Sequence, residues 1–108
     1  MKAVKIKVII VAPKKKPEVA EITNELTVLQ KLVGGHIECI RQSGYDIIIN
    51  EEGKLEGLEP NFLIYDGIDY VAGTAVFAGV DYAEGEFKSL SDEQIKKITL
   101  NFRMVEKN

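Results

Sequence analysis

The chain has little cysteine, little histidine and no surplus of positive charge. Its one cysteine, Cys39, excludes an internal disulfide, and nothing pairs with it at metal-ligand spacing. Its one histidine means that any imidazole chemistry must use His36. The net charge of −3 argues against a dedicated nucleic-acid binder, which is usually basic, so no DNA or RNA partner is expected. The longest apolar run, Val8 to Ala12, is far too short to span a bilayer, so no membrane partner is expected. Lys5 and Lys7 interrupt the apolar stretch after Met1-Lys2, and no small-residue cleavage site follows, which excludes a signal peptide. These absences together predict a cytoplasmic protein with a reduced thiol.

Catalytic and ligand motifs are also missing. No "GxSxG" is present, so no serine stands in a nucleophile elbow. His36 and Cys39 lie three apart on a predicted strand, which points them to opposite faces and argues against a thiol–imidazole pair. Cys39 is expected as a small buried hydrophobe. Glu51-Glu52, Asp66 and Asp69 lack the "DxDxDG" spacing of a calcium loop. "VGG" and "AGTAVFAG" do not match a phosphate loop: the first ends a helix, and the second has no following lysine. No enzymatic activity, metal or cofactor is expected.

What is present is one domain's worth of chain, 1–108, with 45% hydrophobic and 29% charged residues, a globular composition. Charge is uneven. Residues 1–16 hold six lysines and no acid, whereas 51–70 hold six acids and one lysine. Such asymmetry marks either two faces with different partners or strands that set opposite charges side by side.

"AVKIKVIIVA" alternates and then becomes continuously apolar, which predicts a strand that starts half exposed and ends buried. "PKKKP" breaks it, and residues 18–23 return as the second arm of a hairpin. "NELTVLQKLVGG" predicts a helix capped by Asn24, with Leu26, Leu29, Leu32 and Val33 on its apolar stripe, Lys31 in its last turn and Gly34-Gly35 ending it. "HIECIR" and "DIIIN" predict a second hairpin, followed by a turn with Gly53 at positive φ. "FLIYDGIDYVAGTAVFAGV" holds the last strands, turning at "YDGID", with a bulge or close approach at Gly73 and Gly79. "DYAEGEFK" reads as a loop. "SLSDEQIKKITLNFRM" is the second helix. Ser91 and Gln94 form its capping box, Leu90 and Ile95 a staple, and Ile95, Ile98 and Phe102 face the core. The sum is an α+β fold: a bent, mainly antiparallel sheet of about five to seven short strands with two helices packed on it.

Four blocks in this order, "LQKLVGGHIECI", "NEEGKLEGLEPN", "GTAVFAGVD" and "SLSDEQIKKI", resemble the domain of unknown function 3846 family, small proteins of bacteria, phages and mobile elements. The resemblance runs over essentially the whole chain. His36 stands where the family usually has tyrosine, and Glu59 where a proline is common. The resemblance implies a phage or mobile-element setting and an accessory role. It supplies no reaction.

Two functional expectations follow. The first is a non-enzymatic homo-oligomer that holds a small polar ligand, such as a nucleotide-type signal. Its candidate contacts are Gly34, Gly35, His36, Glu38, Asn50, Glu51, Asn61, Gly73 and Thr74, where glycines permit close approach beside polar side chains. Asn50 and Asn61 offer both donors and acceptors, although their stretch also reads as a simple turn. Lys14, Lys15 and Lys16 on the first turn would meet phosphate or an acidic partner, or only solvent. The second expectation is a protein-interaction module that inhibits a host defence protein. It rests on the charge split and on Tyr45, Tyr65, Tyr70 and Tyr82, because tyrosine favours interfaces.

Overall fold

A computed structural model describes residues 4–102. Ten elements follow in order: β1 (Lys5–Val11), β2 (Glu18–Thr23), α1 (Leu26–Val33), β3 (Ile37–Arg41), β4 (Tyr45–Asn50), β5 (Pro60–Ile64), β6 (Asp69–Ala72), β7 (Ala75–Asp81), β8 (Glu86–Lys88) and α2 (Asp92–Asn101). Six strands make one antiparallel sheet in the order β2-β1-β7-β4-β3, with β8 also on β7, while β5 and β6 form a separate two-stranded sheet. The fold is therefore α+β with a mainly antiparallel sheet and two helices. Among the described residues, no helix is long and apolar enough to cross a membrane.

The continuously apolar ends of β1, β4 and β7 follow from burial on both faces. One face sets Val8, Ile48, Val76 and Ala78 against Leu29 and Val33 of α1. The other sets Ile9, Val11, Ile47 and Phe77 against Phe62 and Val71 of the β5–β6 hairpin and Ile98 of α2. The helices thus cover opposite faces. Each fully buried aliphatic side chain here stabilises the fold by roughly 1.5–3 kcal/mol.

The sheet splits along one edge of β7. Ala75–Phe77 pair with β1, and Gly79–Asp81 pair with β8. Gly79 stands at the split, where a Cβ would lie 2.7 Å from the Ser89 carbonyl oxygen, so the expected close approach is real. Segment 89–90 sutures the split: Ser89 Oγ accepts from the Lys7 N–H at 2.9 Å, and the Leu90 N–H donates to the Lys7 carbonyl at 2.9 Å.

Local expectations at α2 are met. Ser91 and Gln94 form both bonds of the capping box, Leu90 and Ile98 are buried, and Ile95 and Phe102 pack on the same core. Arg103 and Met104, included in the expected helix, lie outside the described residues. At α1, Lys31 is in the last turn, and Gly34 closes the helix at φ 84°, its N–H donating to Gln30.

Four local expectations need correction. Asn24 does not cap α1: Glu25 holds that position without a side-chain bond, while the Asn24 amide reaches the Phe87 carbonyl at 3.0 Å. A tertiary partner takes the side chain that the local rule assigned to the helix. Gly53 is not at positive φ; Gly57 is, at 71°. Gly53 is needed for space, because a Cβ there would sit 2.7 Å from the Ala72 carbonyl oxygen. Part of "DYAEGEFK" is strand β8, turned by Gly85 at φ 68° and paired to β7. Cys39 is exposed, since β3 is a sheet edge and its outer positions lack cover.

Candidate functional site

The residues singled out in the sequence gather at one end of the main sheet. There β1 and β4 end, β3 and β7 begin, and α1 stops. The segment 50–61 is strapped across that end. Asn50 ties its start: Nδ2 donates to the Val33 carbonyl and to Glu56 Oε1, both at 3.2 Å, and Oδ1 accepts from the Glu52 N–H at 2.8 Å. One side chain so caps the last turn of α1 and shapes the loop. Gly35 is small because a Cβ would lie 2.9 Å from Asn50 Nδ2. The Glu51 N–H donates to the His36 carbonyl at 2.8 Å, extending the β3–β4 ladder by one bond.

Asn61 ties the other end. Its Nδ2 donates to the carbonyls of Val11 and Gly73, each at 2.8 Å. Its Oδ1 is buried with no hydrogen-bond partner among the described residues. Gly73, at φ 86°, turns the chain out of β6 and into the other sheet, with Thr74 half-buried beside it. Lys14 meets Glu59 at 2.8 Å, and Lys15 and Lys16 are exposed on the same turn. The candidate residues are therefore neighbours. The amide groups of Asn50 and Asn61 point inward to the protein's own backbone, while the side chains of His36, Glu38 and Glu51 are exposed.

Glu38 and Glu51 also border a recess of about 220 Å³ between the β3–β4 and β5–β6 hairpins. Lys54 stands at its mouth, ion-paired to Asp69, with Nζ 4.7 Å from the Tyr70 ring centre. The bond between them raises the pKa of Lys54 and lowers that of Asp69.

A second concavity, larger than this recess, had no direct sign in the sequence. A groove of about 1120 Å³ runs between α2 and β5, over the opposite end of the sheet face. Its base is an aromatic row. The Tyr45 and Phe77 rings stack at 6.0 Å, Phe62 meets Phe77 at 5.5 Å, and Phe102 meets Phe62 edge-on at 5.3 Å. Burial raises the pKa of the Tyr45 hydroxyl. The helical wall presents Glu93, Lys97 and Asn101, one turn apart, and Gln94 pins it to the β3–β4 turn through the Gly44 carbonyl at 3.1 Å. The other wall is β5 and its turn. Residues 62–67 line it and no residue of β6 does. The only signal available in the sequence was the aromatic placement: Tyr45, Phe62, Phe77 and Phe102 fall on positions that face one layer.

Near the β3 edge, Asp46 is 7% exposed, and its Oδ1 has no hydrogen-bond partner among the described residues. Burial raises its pKa, and the opposing charge of Arg41 offsets part of that rise. Partial burial, followed by the Asp46 and Glu38 charges, pushes the Cys39 thiol up. Among the described residues, no group of three or more His, Cys, Asp or Glu could hold a metal ion.

A split antiparallel sheet with one helix on each face and a strap across one end defines a small α+β domain. Residues 6–103 match the model of the family described as Domain of unknown function (DUF3846), and the chain belongs to that family. No curated protein matches the chain, and no solved structure does.

Proposed function

We infer that this protein is a non-enzymatic accessory protein, of phage or mobile-element type, that acts by binding a host protein through the groove between α2 and β5. The observation that carries this reading is the groove itself, a large concavity with an aromatic base and a polar helical wall. Its rim favours a macromolecule. Leu63 and Tyr65 on one wall are 48% and 58% exposed, and Leu100, on the helix that forms the other, is 75% exposed. Apolar surface extending beyond a cavity mouth is the usual character of a protein interface.

A second reading keeps a small polar ligand of nucleotide type as the occupant. Arg41 and Lys97 at the rim support it, as cations that suit phosphate beside rings that suit a base. The end-of-sheet cluster supports it less, because the Asn50 and Asn61 amides already bond internally.

The test is affinity capture from host lysate at low and physiological salt with the wild-type protein and Lys97→Glu, beside a nucleotide panel read by thermal shift. A protein captured by the wild type and lost with Lys97→Glu supports the first reading. A thermal shift with one nucleotide and no groove-dependent capture supports the second. Neither response at millimolar ligand rejects both.

A further inference from the structure

We propose that β5 is a strand-addition site: an extended segment of the partner protein pairs with its free edge inside the groove. The proposal rests on the groove being the binding site. It adds what the occupant must be.

Three observations converge on an extended chain. First, among the described residues β5 has one strand partner, β6. Its other edge lies along the groove, since residues 62–67 line the wall and β6 does not. An unpaired edge presents alternating N–H and C=O groups, and another extended backbone is the ligand that matches such a row. Second, β5 lacks the protection that the other edges carry. The edge strands β2, β3 and β8 bear Glu18 and Glu21, Glu38 and Arg41, and Glu86 and Lys88 respectively, while β6 bears Asp69. Charges of this kind prevent strands from adding. The sequence of β5, PNFLI, has no charge, and its proline stands at the first residue, outside the lined stretch. Third, the surroundings suit alternating side chains. A strand added beside β5 sets every second residue on the base near Tyr45, Phe77 and Ile98, and the intervening residues outward beside exposed Leu63. The stripe Glu93, Lys97 and Asn101 on α2 offers polar partners to the far edge of the segment. The occupant is thus a short extended peptide stretch with apolar residues at alternate positions.

The test uses the full chain and a displayed library of random eight-residue peptides, from which the tightest binder is synthesised. Each of its amides is then N-methylated in turn, and the complexes are mapped by amide chemical shifts. Strand addition requires the largest shifts at Phe62–Ile64. It also requires at least a tenfold loss of affinity on methylation at alternate positions, with the intervening ones nearly unaffected. Leu63→Lys, an exposed substitution that gives β5 the charge of its sister edges, should weaken the same peptide at least tenfold while its melting temperature stays close to wild type. A peptide that seats in the groove but tolerates methylation everywhere overturns strand addition and leaves the groove reading intact. Binders that map elsewhere, or no binder tighter than millimolar, also overturn it; the groove reading then stands or falls on lysate capture.

Discussion

The side-chain amide of Asn61 lies 2.8 Å from the carbonyl oxygen of Val11, fifty residues earlier in the chain, and holds the Gly73 carbonyl with its second hydrogen. One buried amide so joins the end of β1 to the junction between the two sheets. Asn61→Ala removes both bonds and should destabilise the fold by about 1–3 kcal/mol, read by urea denaturation. Asn61→Asp should be worse at neutral pH, where a carboxylate would face two carbonyl oxygens, and should partly recover in acid as the carboxyl protonates. A loss below about 0.5 kcal/mol for Asn61→Ala would show that the strap does not depend on this side chain.

The two loop glycines should separate. Gly53→Ala drives a Cβ to 2.7 Å from the Ala72 carbonyl oxygen, a backbone atom that cannot swing aside. Gly57→Ala meets nothing within 4 Å and suffers only its φ of 71°. Thermal denaturation should give a cost of about 1 kcal/mol at Gly57 and clearly more at Gly53, with Gly57→Asn milder than Gly57→Ala. Equal costs would mean that the loop relaxes away from β6.

Asp46 should make stability fall as pH rises through the mildly acid range. Its folded pKa is raised by burial, so the folded protein holds that proton where the unfolded chain has lost it. Its contribution is complete below the unfolded carboxyl pKa, about 3.9, and is lost as pH rises through the higher folded value. Asp46→Asn should therefore flatten this slope and be the more stable protein at neutral pH. A steeper slope in the variant would mean that pairing to Arg41 dominates instead.

Cys39 should react in the native state, because it is exposed, yet more slowly than an ordinary thiol at neutral pH. The thiolate is the nucleophile, and partial burial with two nearby carboxylates suppresses it. Disulfide exchange with a chromogenic reagent should speed up on unfolding and, in the folded protein, with Asp46→Asn. No change in the folded variant would remove Asp46 as a cause.

Ser91→Ala should cost about 1 kcal/mol by removing the cap that accepts the Gln94 N–H at 3.0 Å. Because α2 is the groove's helical wall, the same variant should weaken any groove ligand. Hydrogen exchange in residues 92–101 measures the loosening directly.

By itself the sequence determined every element that rests on local rules. Alternation gave β1 and its hairpin, Ser91 and Gln94 gave the start of α2, and Gly34 gave the end of α1, because the period of a strand and the unpaired amides of a helix end are properties of a few adjacent residues. Family membership was legible for the same reason, from blocks of residues kept in order. Only the tertiary structure decided the rest. Asn24 lost its capping role to a bond with Phe87, sixty-three residues away. Asn50 and Asn61 looked like groups offered to a ligand until their bonds to Val33, Val11 and Gly73 appeared. Gly73 cut what read as one strand into β6 and β7 of different sheets, which left one edge of β5 unpaired among the described residues and opened the groove beside α2. Which partner a polar side chain finds, and which strand edge stays free, depends on segments far apart in the chain meeting in space, and no local window contains that information.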